Sequence, residues 1–301
     1  VRTAFIETLI LEARRRPEVF LVVGDLGYSV VEPFREEFPD RFLNAGVAEQ
    51  NMTGMAAGLA SEGYHVFTYS IANFPTLRCL EQIRNDICYH RLPVTVVSVG
   101  AGVAYGSLGY SHHAVQDIGI LCSFPEMTVL SPADPGETVA CVGWLAENPC
   151  PSYLRLGKAG EPILHDQPWN AKSLTRVLAA SGAATAIVGT GSVVKVGMEA
   201  AAELGAKGIP VDVYSMSWLH PVPDFAFDGL RSYQTIWVLE EHLTGSGIGV
   251  LLRQRLPLSV EVHALGLTPE SLGMVGSQNY LRAVSGLDAR NVAWRITEKY
   301  Q

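Results

Sequence analysis

Glu49 stands in the stretch Ala45-Gly46-Val47-Ala48-Glu49-Gln50-Asn51-Met52-Thr53-Gly54-Met55-Ala56-Ala57-Gly58-Leu59-Ala60, and the next acid after it is Glu62. A carboxylate at a helix start is ordinarily a first-turn residue favoured by the helix dipole. Here the helix it opens carries small, apolar and uncharged polar residues, so it reads as buried nearly all round. An acid in such surroundings is expected to have a raised pKa and to donate or share a proton. Four other places could carry chemistry. Asp25, in Gly24-Asp25-Leu26-Gly27, follows a strand, where open α/β sheets place ligand contacts; capping of the next helix is the equal alternative. Phe74, in Asn73-Phe74-Pro75-Thr76, leads a helix containing Arg78, Glu81, Gln82, Arg84 and Asp86. It could be a flat platform for a heterocycle or, more commonly, a core aromatic.

The segment Gly100 to His113 holds four glycines and the adjacent pair His112 and His113. Such a loop can approach a ligand closely, and neighbouring histidines point in different directions, so at least one is expected to face a cleft. No partner carboxylate or third nitrogen ligand accompanies them, so no metal site is assigned. Arg155-Leu156-Gly157-Lys158 ends a strand with two cations that hold an anion or sit solvated.

The elements that must position these residues alternate between β-branched runs and helical periodicity, which predicts an α/β fold. Strands are expected at 19–23, 64–69, 94–99, 127–130 and 152–156, with helices near 2–16, 48–61, 75–90, 115–123 and 134–147. From Gly157 to about Ser173 the chain is rich in Gly, Pro and polar residues and reads as a linker. A second βα series follows, with strands near 184–188, 211–214, 235–239 and 259–264. Two doubly wound domains are therefore expected, 1–170 and 171–301.

The 301 residues, 48% apolar and 17% charged, have the balance of a soluble globular protein. A net charge of −8 without a run of Lys or Arg argues against nucleic acid. Five cysteines (Cys79, Cys88, Cys122, Cys141 and Cys150) contain no CxxC, so reduced thiols and a cytoplasmic location are expected. No apolar run is long enough to span a bilayer, and no signal peptide is evident.

The order Asp25, then GVAEQNMTGMAAGLA, NFPTLRCLEQIRND, SLGYSHHAVQD, MTVLSPADPGE and YLRLGK resembles the pyrimidine-binding half of the transketolase family. Further on, GTGSVVKVGMEAA, VYSMSWLHPV and VLEEHLTGSGIG resemble the C-terminal domain of transketolases and deoxyxylulose phosphate synthases, so the likeness covers essentially the whole chain. The resemblance implies thiamine diphosphate as cofactor. Glu49 would be the protonatable carboxyl beside N1′ of the aminopyrimidine, Phe74 would stack on that ring, and Asp25 would contribute near the cofactor at a boundary between chains. His112 would line the substrate channel and act catalytically, with His113 beside it, and Arg155 and Lys158 would bind substrate. The reaction implied is transfer of a two-carbon ketol unit from a ketose to an aldehyde.

The family's Gly-Asp-Gly and downstream Asn, which bind the diphosphate and Mg2+, are absent from this sequence. Those ligands are therefore expected on a diphosphate-binding partner subunit, in an α2β2 assembly; removal of an N-terminal half is the other explanation. At substrate-facing positions the chain departs from ordinary transketolases. Leu108 replaces an acid, Gly100 a channel histidine, and Lys158 a phosphate-binding arginine, which keeps the charge but loses the bidentate fork. The competing expectations are the β subunit of a 2-oxoacid dehydrogenase E1 component and a non-catalytic assembly subunit. Glu240, Glu241 and His242, before the glycine-rich run Gly245 to Gly249, are expected to pack between subunits.

Overall fold

Val19–Val23 (β1), Val94–Val99 (β4) and Ser152–Leu156 (β6) are buried at every residue, as strands inside a parallel sheet covered on both faces must be. With Phe42–Asn44 (β2), His65–Ile71 (β3), Thr128–Leu130 (β5) and Trp218–His220 (β10) they form one seven-stranded sheet, in the order β10-β5-β6-β4-β3-β1-β2. A second, five-stranded sheet runs β12-β11-β8-β9-β7. Its strands are Thr175–Leu178 (β7), Thr185–Gly189 (β8), Val211–Ser215 (β9), Thr235–Leu243 (β11) and Glu261–Leu267 (β12). The computed structural model describes residues 1–299, and both sheets are the parallel-dominated α/β layers that the alternating pattern predicts. No helix among the described residues is long and apolar enough to cross a membrane.

Two helices depart from expectation. The helix Glu49–Ser61 is not buried all round: Met52, Thr53, Ala56, Ala57 and Ala60 face the sheet, whereas Gln50, Asn51, Gly54, Gly58 and Ser61 are exposed. Small residues permit burial but do not compel it, and a Cβ added at Gly54 or Gly58 would meet no atom within 4 Å. The single helix expected over 75–90 is instead a 3₁₀ turn, Leu77–Cys79, a short α segment, Leu80–Gln82, and a π-helical turn, Ile83–Cys88.

The edge strand β10 comes from the second half of the chain and pairs antiparallel with β5, Trp218 opposite Leu130. Trp218 is 1% exposed. Its ring meets Trp144 edge-on at 4.7 Å, and its Nε1–H donates to the Pro221 carbonyl at 2.6 Å. This strand joins the two halves through backbone pairing as well as side-chain packing. Trp218→Ala is expected to cost about 3–5 kcal/mol, from lost burial plus the cavity left behind. Urea unfolding measures it, and an unchanged midpoint would mean that β10 contributes nothing to the junction.

Candidate active site

The carboxyl ends of the parallel strands place the expected residues along one edge of the first sheet, where open α/β sheets bind ligands. Asp25 follows β1, Glu49 lies after β2, Phe74 after β3, His112 and His113 after β4, and Lys158 after β6.

Asp25 adopts a positive φ of 55° and does not cap a helix. Its backbone N–H donates to Asn44 Oδ1 at 3.0 Å, and Asn44 Nδ2 donates back to Asp25 Oδ1 at 2.8 Å. This reciprocal pair fixes the loop that leads to Glu49. Glu49 is the first residue of its helix and is 3% exposed. The bare face of Gly24 lies against it: a Cβ there would stand 3.7 Å from Glu49 Cγ.

The structure gives Glu49 a counter-ion that the sequence did not reveal. Arg78 Nη1 donates to Glu49 Oε2 at 3.0 Å, while Glu49 Oε1 is buried without a partner among the described residues. The same guanidinium lies over the Phe74 ring, 4.4 Å from its centroid. Phe74 in turn meets the His112 ring edge-on at 5.1 Å. Glu49, Arg78, Phe74 and His112 are thus joined by direct contacts, with one carboxylate oxygen left over.

The two histidines have different surroundings. His112 keeps an exposed edge, and its Nδ1 lies 3.0 Å from Ser111 Oγ. Burial, with the Arg78 charge, lowers its pKa, which leaves the imidazole neutral near pH 7 and able to accept a proton. His113 is fully buried, edge-on to Tyr110 at 6.3 Å. It therefore offers no surface for the expected substrate contact.

Arg155 also departs from its expected role. It is 2% exposed because it lies within β6 rather than beyond it. Its Nε donates to Asp117 Oδ2 at 2.7 Å, and the Tyr153 hydroxyl donates to the same oxygen at 2.6 Å. Burial pushes the Asp117 carboxyl up, but the guanidinium overrides it and holds the pKa below the ordinary value. Lys158 is exposed and lines a cavity of about 260 Å³ together with Ser192, Lys195, Gln278 and Arg282 of the second half.

Glu240, Glu241 and His242 are buried within the chain itself, not left at its surface for another subunit. Glu240 accepts from the N–H groups of Ile248 and Gly249, at 2.8 and 3.3 Å, capping the helix Ile248–Arg255, and burial raises its pKa to about 7. Glu241 Oε2 accepts from Arg282 at 2.8 Å and from Gln278 at 3.0 Å. Arg78, Asp117 and Glu241 carry no motif that marks these roles, since their partners lie 29, 38 and 41 residues away. Among the described residues no group of three or more His, Cys, Asp or Glu could hold a metal ion.

Residues 1–160 match the family described as transketolase, pyrimidine binding domain, and residues 175–292 match transketolase, C-terminal domain. The chain belongs to the transketolase family. It is 32% identical to one of the subunits of the apulose-4-phosphate transketolase of Phocaeicola vulgatus, over 97% of this chain and 94% of that one. It is 31% identical to a putative transketolase C-terminal section of Methanocaldococcus jannaschii, over 99% and 96%. A solved split-gene transketolase, described as an inactive β4 tetramer, superposes with a TM-score of 0.88 at 31% identity, covering 99% of this chain and 97% of the other. This transketolase chain is accordingly a transferase subunit of the β type, from a family that uses thiamine diphosphate.

The buried pair at the centre of the transketolase chain sets an acid limit to its stability. Asp117 has a folded pKa below its unfolded value near 4, so its contribution is full above that value and is lost as pH falls through the folded pKa. Asp117→Asn is expected to cost about 3–5 kcal/mol at pH 7, because Arg155 stays buried without a counter-ion. It is also expected to flatten the acid limb of the stability curve. Denaturant midpoints between pH 3 and 7 check both, and a variant that follows the native curve would refute the pairing.

Proposed function

We propose that this chain supplies the proton-handling half of a split transketolase-like enzyme that moves a two-carbon ketol unit from a phosphorylated ketose to an aldehyde. The observation that carries the reading is Glu49: a carboxylate buried at a helix start, held on one oxygen by Arg78 and bare on the other. An unpartnered buried carboxyl oxygen is costly unless a hydrogen-bond partner arrives from outside the chain. A ring nitrogen of the cofactor's aminopyrimidine, accepting from the protonated carboxyl or donating to the carboxylate once it takes the proton, suits that oxygen, and Phe74 offers an aromatic surface beside it. Thiamine diphosphate, when bound, supplies a thiazolium that stabilises the negative charge left as a carbon–carbon bond of the ketose breaks.

The protein's own residues bind, orient and move protons. Glu49 Oε1 holds or releases a proton at the ring nitrogen, and Arg78 keeps Oε2 fixed so that the other oxygen carries that exchange. His112, neutral near pH 7, accepts a proton from a substrate hydroxyl at the cleft edge. Asp25, locked onto Asn44, shapes the floor near the cofactor. Lys158 attracts the anionic end of the substrate; the Phocaeicola relative carries a phosphorylated sugar in its name.

The diphosphate and Mg2+ are assigned to a partner subunit, in an α2β2 assembly. Mg2+ needs oxygen ligands from carboxylates and phosphates, and no Gly-Asp-Gly occurs in this sequence. The division between the two domains is placed near residue 170. Free cysteines, three of them buried, suit a cytoplasmic protein of carbohydrate metabolism.

Glu49→Ala is expected to abolish ketol transfer by the reconstituted complex while assembly, followed by light scattering, is unchanged. Near-normal turnover would sink the role of Glu49. Calorimetry is expected to show tight thiamine diphosphate binding only when partner and Mg2+ are both present. Equally tight binding by this chain alone would overturn the division of labour.

A further inference from the structure

The loop that carries the histidines is held from behind at two successive peptide groups. Asn73 Nδ2 donates to the carbonyl of His113 at 2.6 Å, and Arg155 Nη2 donates to the carbonyl of Ala114 at 2.7 Å. Asn73 immediately precedes Phe74, the ring that meets His112 edge-on. One side chain therefore ties down the loop backbone while its chain neighbour sets an aromatic edge against the histidine.

The orientation of the Asn73 amide follows from chemistry. Its Oδ1 has no partner among the described residues, and turning that oxygen toward the His113 carbonyl would place two acceptors 2.6 Å apart. The amide serves as a donor to one carbonyl. Arg155 is in turn immobilised by Asp117 and by the carbonyl of Glu241 on β11, at 3.1 Å. The backbone of Ala114 also exchanges two hydrogen bonds with Gly102, at 2.8 and 3.0 Å, which anchors the far side of the loop.

We propose that Asn73 and Arg155 are positioning residues for His112, fixing the carbonyls of His113 and Ala114 so that the His112 ring stands against Phe74 at the cleft. Both side chains act through the loop backbone. Arg155 also carries the position of β11 to this loop, which gives the C-terminal domain a part in substrate handling although it supplies no proton-handling group. The functional side of this inference rests on the assignment of His112 to the substrate; the structural side does not.

The ring protons of His112 lie in the ring current of Phe74, so their chemical shifts report the contact without turnover. In the full chain, Asn73→Ala and Asn73→Asp are expected to move the His112 signals, with those of the buried His65 unchanged and Tm lowered by no more than about 4 °C, the scale of one hydrogen bond. Asn73→Gln, which keeps a donor, is expected to restore part of the native shift. With the partner subunit added, kcat/KM for the ketose is expected to fall roughly 10- to 100-fold in Asn73→Ala, the cost of misplacing a group by about 1 Å.

Unmoved His112 signals in Asn73→Ala overturn the proposal. If that variant does not fold, Arg155→Lys retains a cation for Asp117 but cannot also span to Ala114; unmoved signals there overturn it equally. Displaced signals with unchanged kcat/KM support the clamp and remove His112 from the substrate instead.

Discussion

The guanidinium of Arg155 is the constraint on which much of the molecule depends. It lies at 2% exposure between the two sheets, and its donors reach Asp117, the Ala114 carbonyl and the Glu241 carbonyl. Taking such an ion out of water is expensive, and the attraction of one carboxylate rarely repays it. Here Nη2 also donates to backbone oxygens from two different segments, so desolvation is offset in part by hydrogen bonds that only the folded arrangement provides. The ion pair is therefore best understood as a specifier of geometry. It fixes where the histidine loop and β11 stand relative to β6.

Around that fixed point, the parallel sheet does the rest. Because β1, β3, β4 and β6 all run in one direction, their following loops open on one edge, and the residues from 25 to 158 lie along that edge, Glu49, Arg78, Phe74 and His112 in direct contact and Lys158 at a separate cavity. The contacts from Glu49 through Arg78 and Phe74 to His112 combine a charge-assisted hydrogen bond, a cation over an aromatic face and an edge-on ring contact. Each restrains its neighbours' rotamers. Along this run of contacts Glu49 Oε1 is the carboxyl oxygen left buried without a hydrogen-bond partner among the described residues.

Much of this was legible in the sequence. The strands Val19–Val23 and Val94–Val99 begin and end where their apolar and β-branched runs do, because burial on both faces demands continuity. The order of motifs identified the family, and the small residues around Glu49 announced an acid at a helix start. What stayed hidden depends on contacts between distant residues. Strand β10 is three residues long and pairs with β5 across almost ninety positions, so no local pattern marks it. Arg78 as the partner of Glu49 is likewise a tertiary fact. Arg155 and Lys158 looked equivalent as two cations ending a strand; Arg155, between buried Leu154 and Leu156, is inside the strand, and Lys158 is past it. The exposed face of the helix Glu49–Ser61 shows the limit of composition: glycine and serine suit a close contact and open water alike.

The crossing of β10 into the first sheet bears on how such a chain can be rearranged over time. Loss of the second piece after a cut anywhere between residues 156 and 218 would strip β5 of its outer neighbour and leave Trp144 facing solvent where Trp218 had covered it. Bare strand edges recruit other chains and invite aggregation. Recombination that shuffles modules is thus penalised at the linker that looks, from its glycines and prolines, like the natural seam. Through β10 the two α/β units share one sheet edge, and a fusion or fission that keeps this pair whole keeps β5 covered.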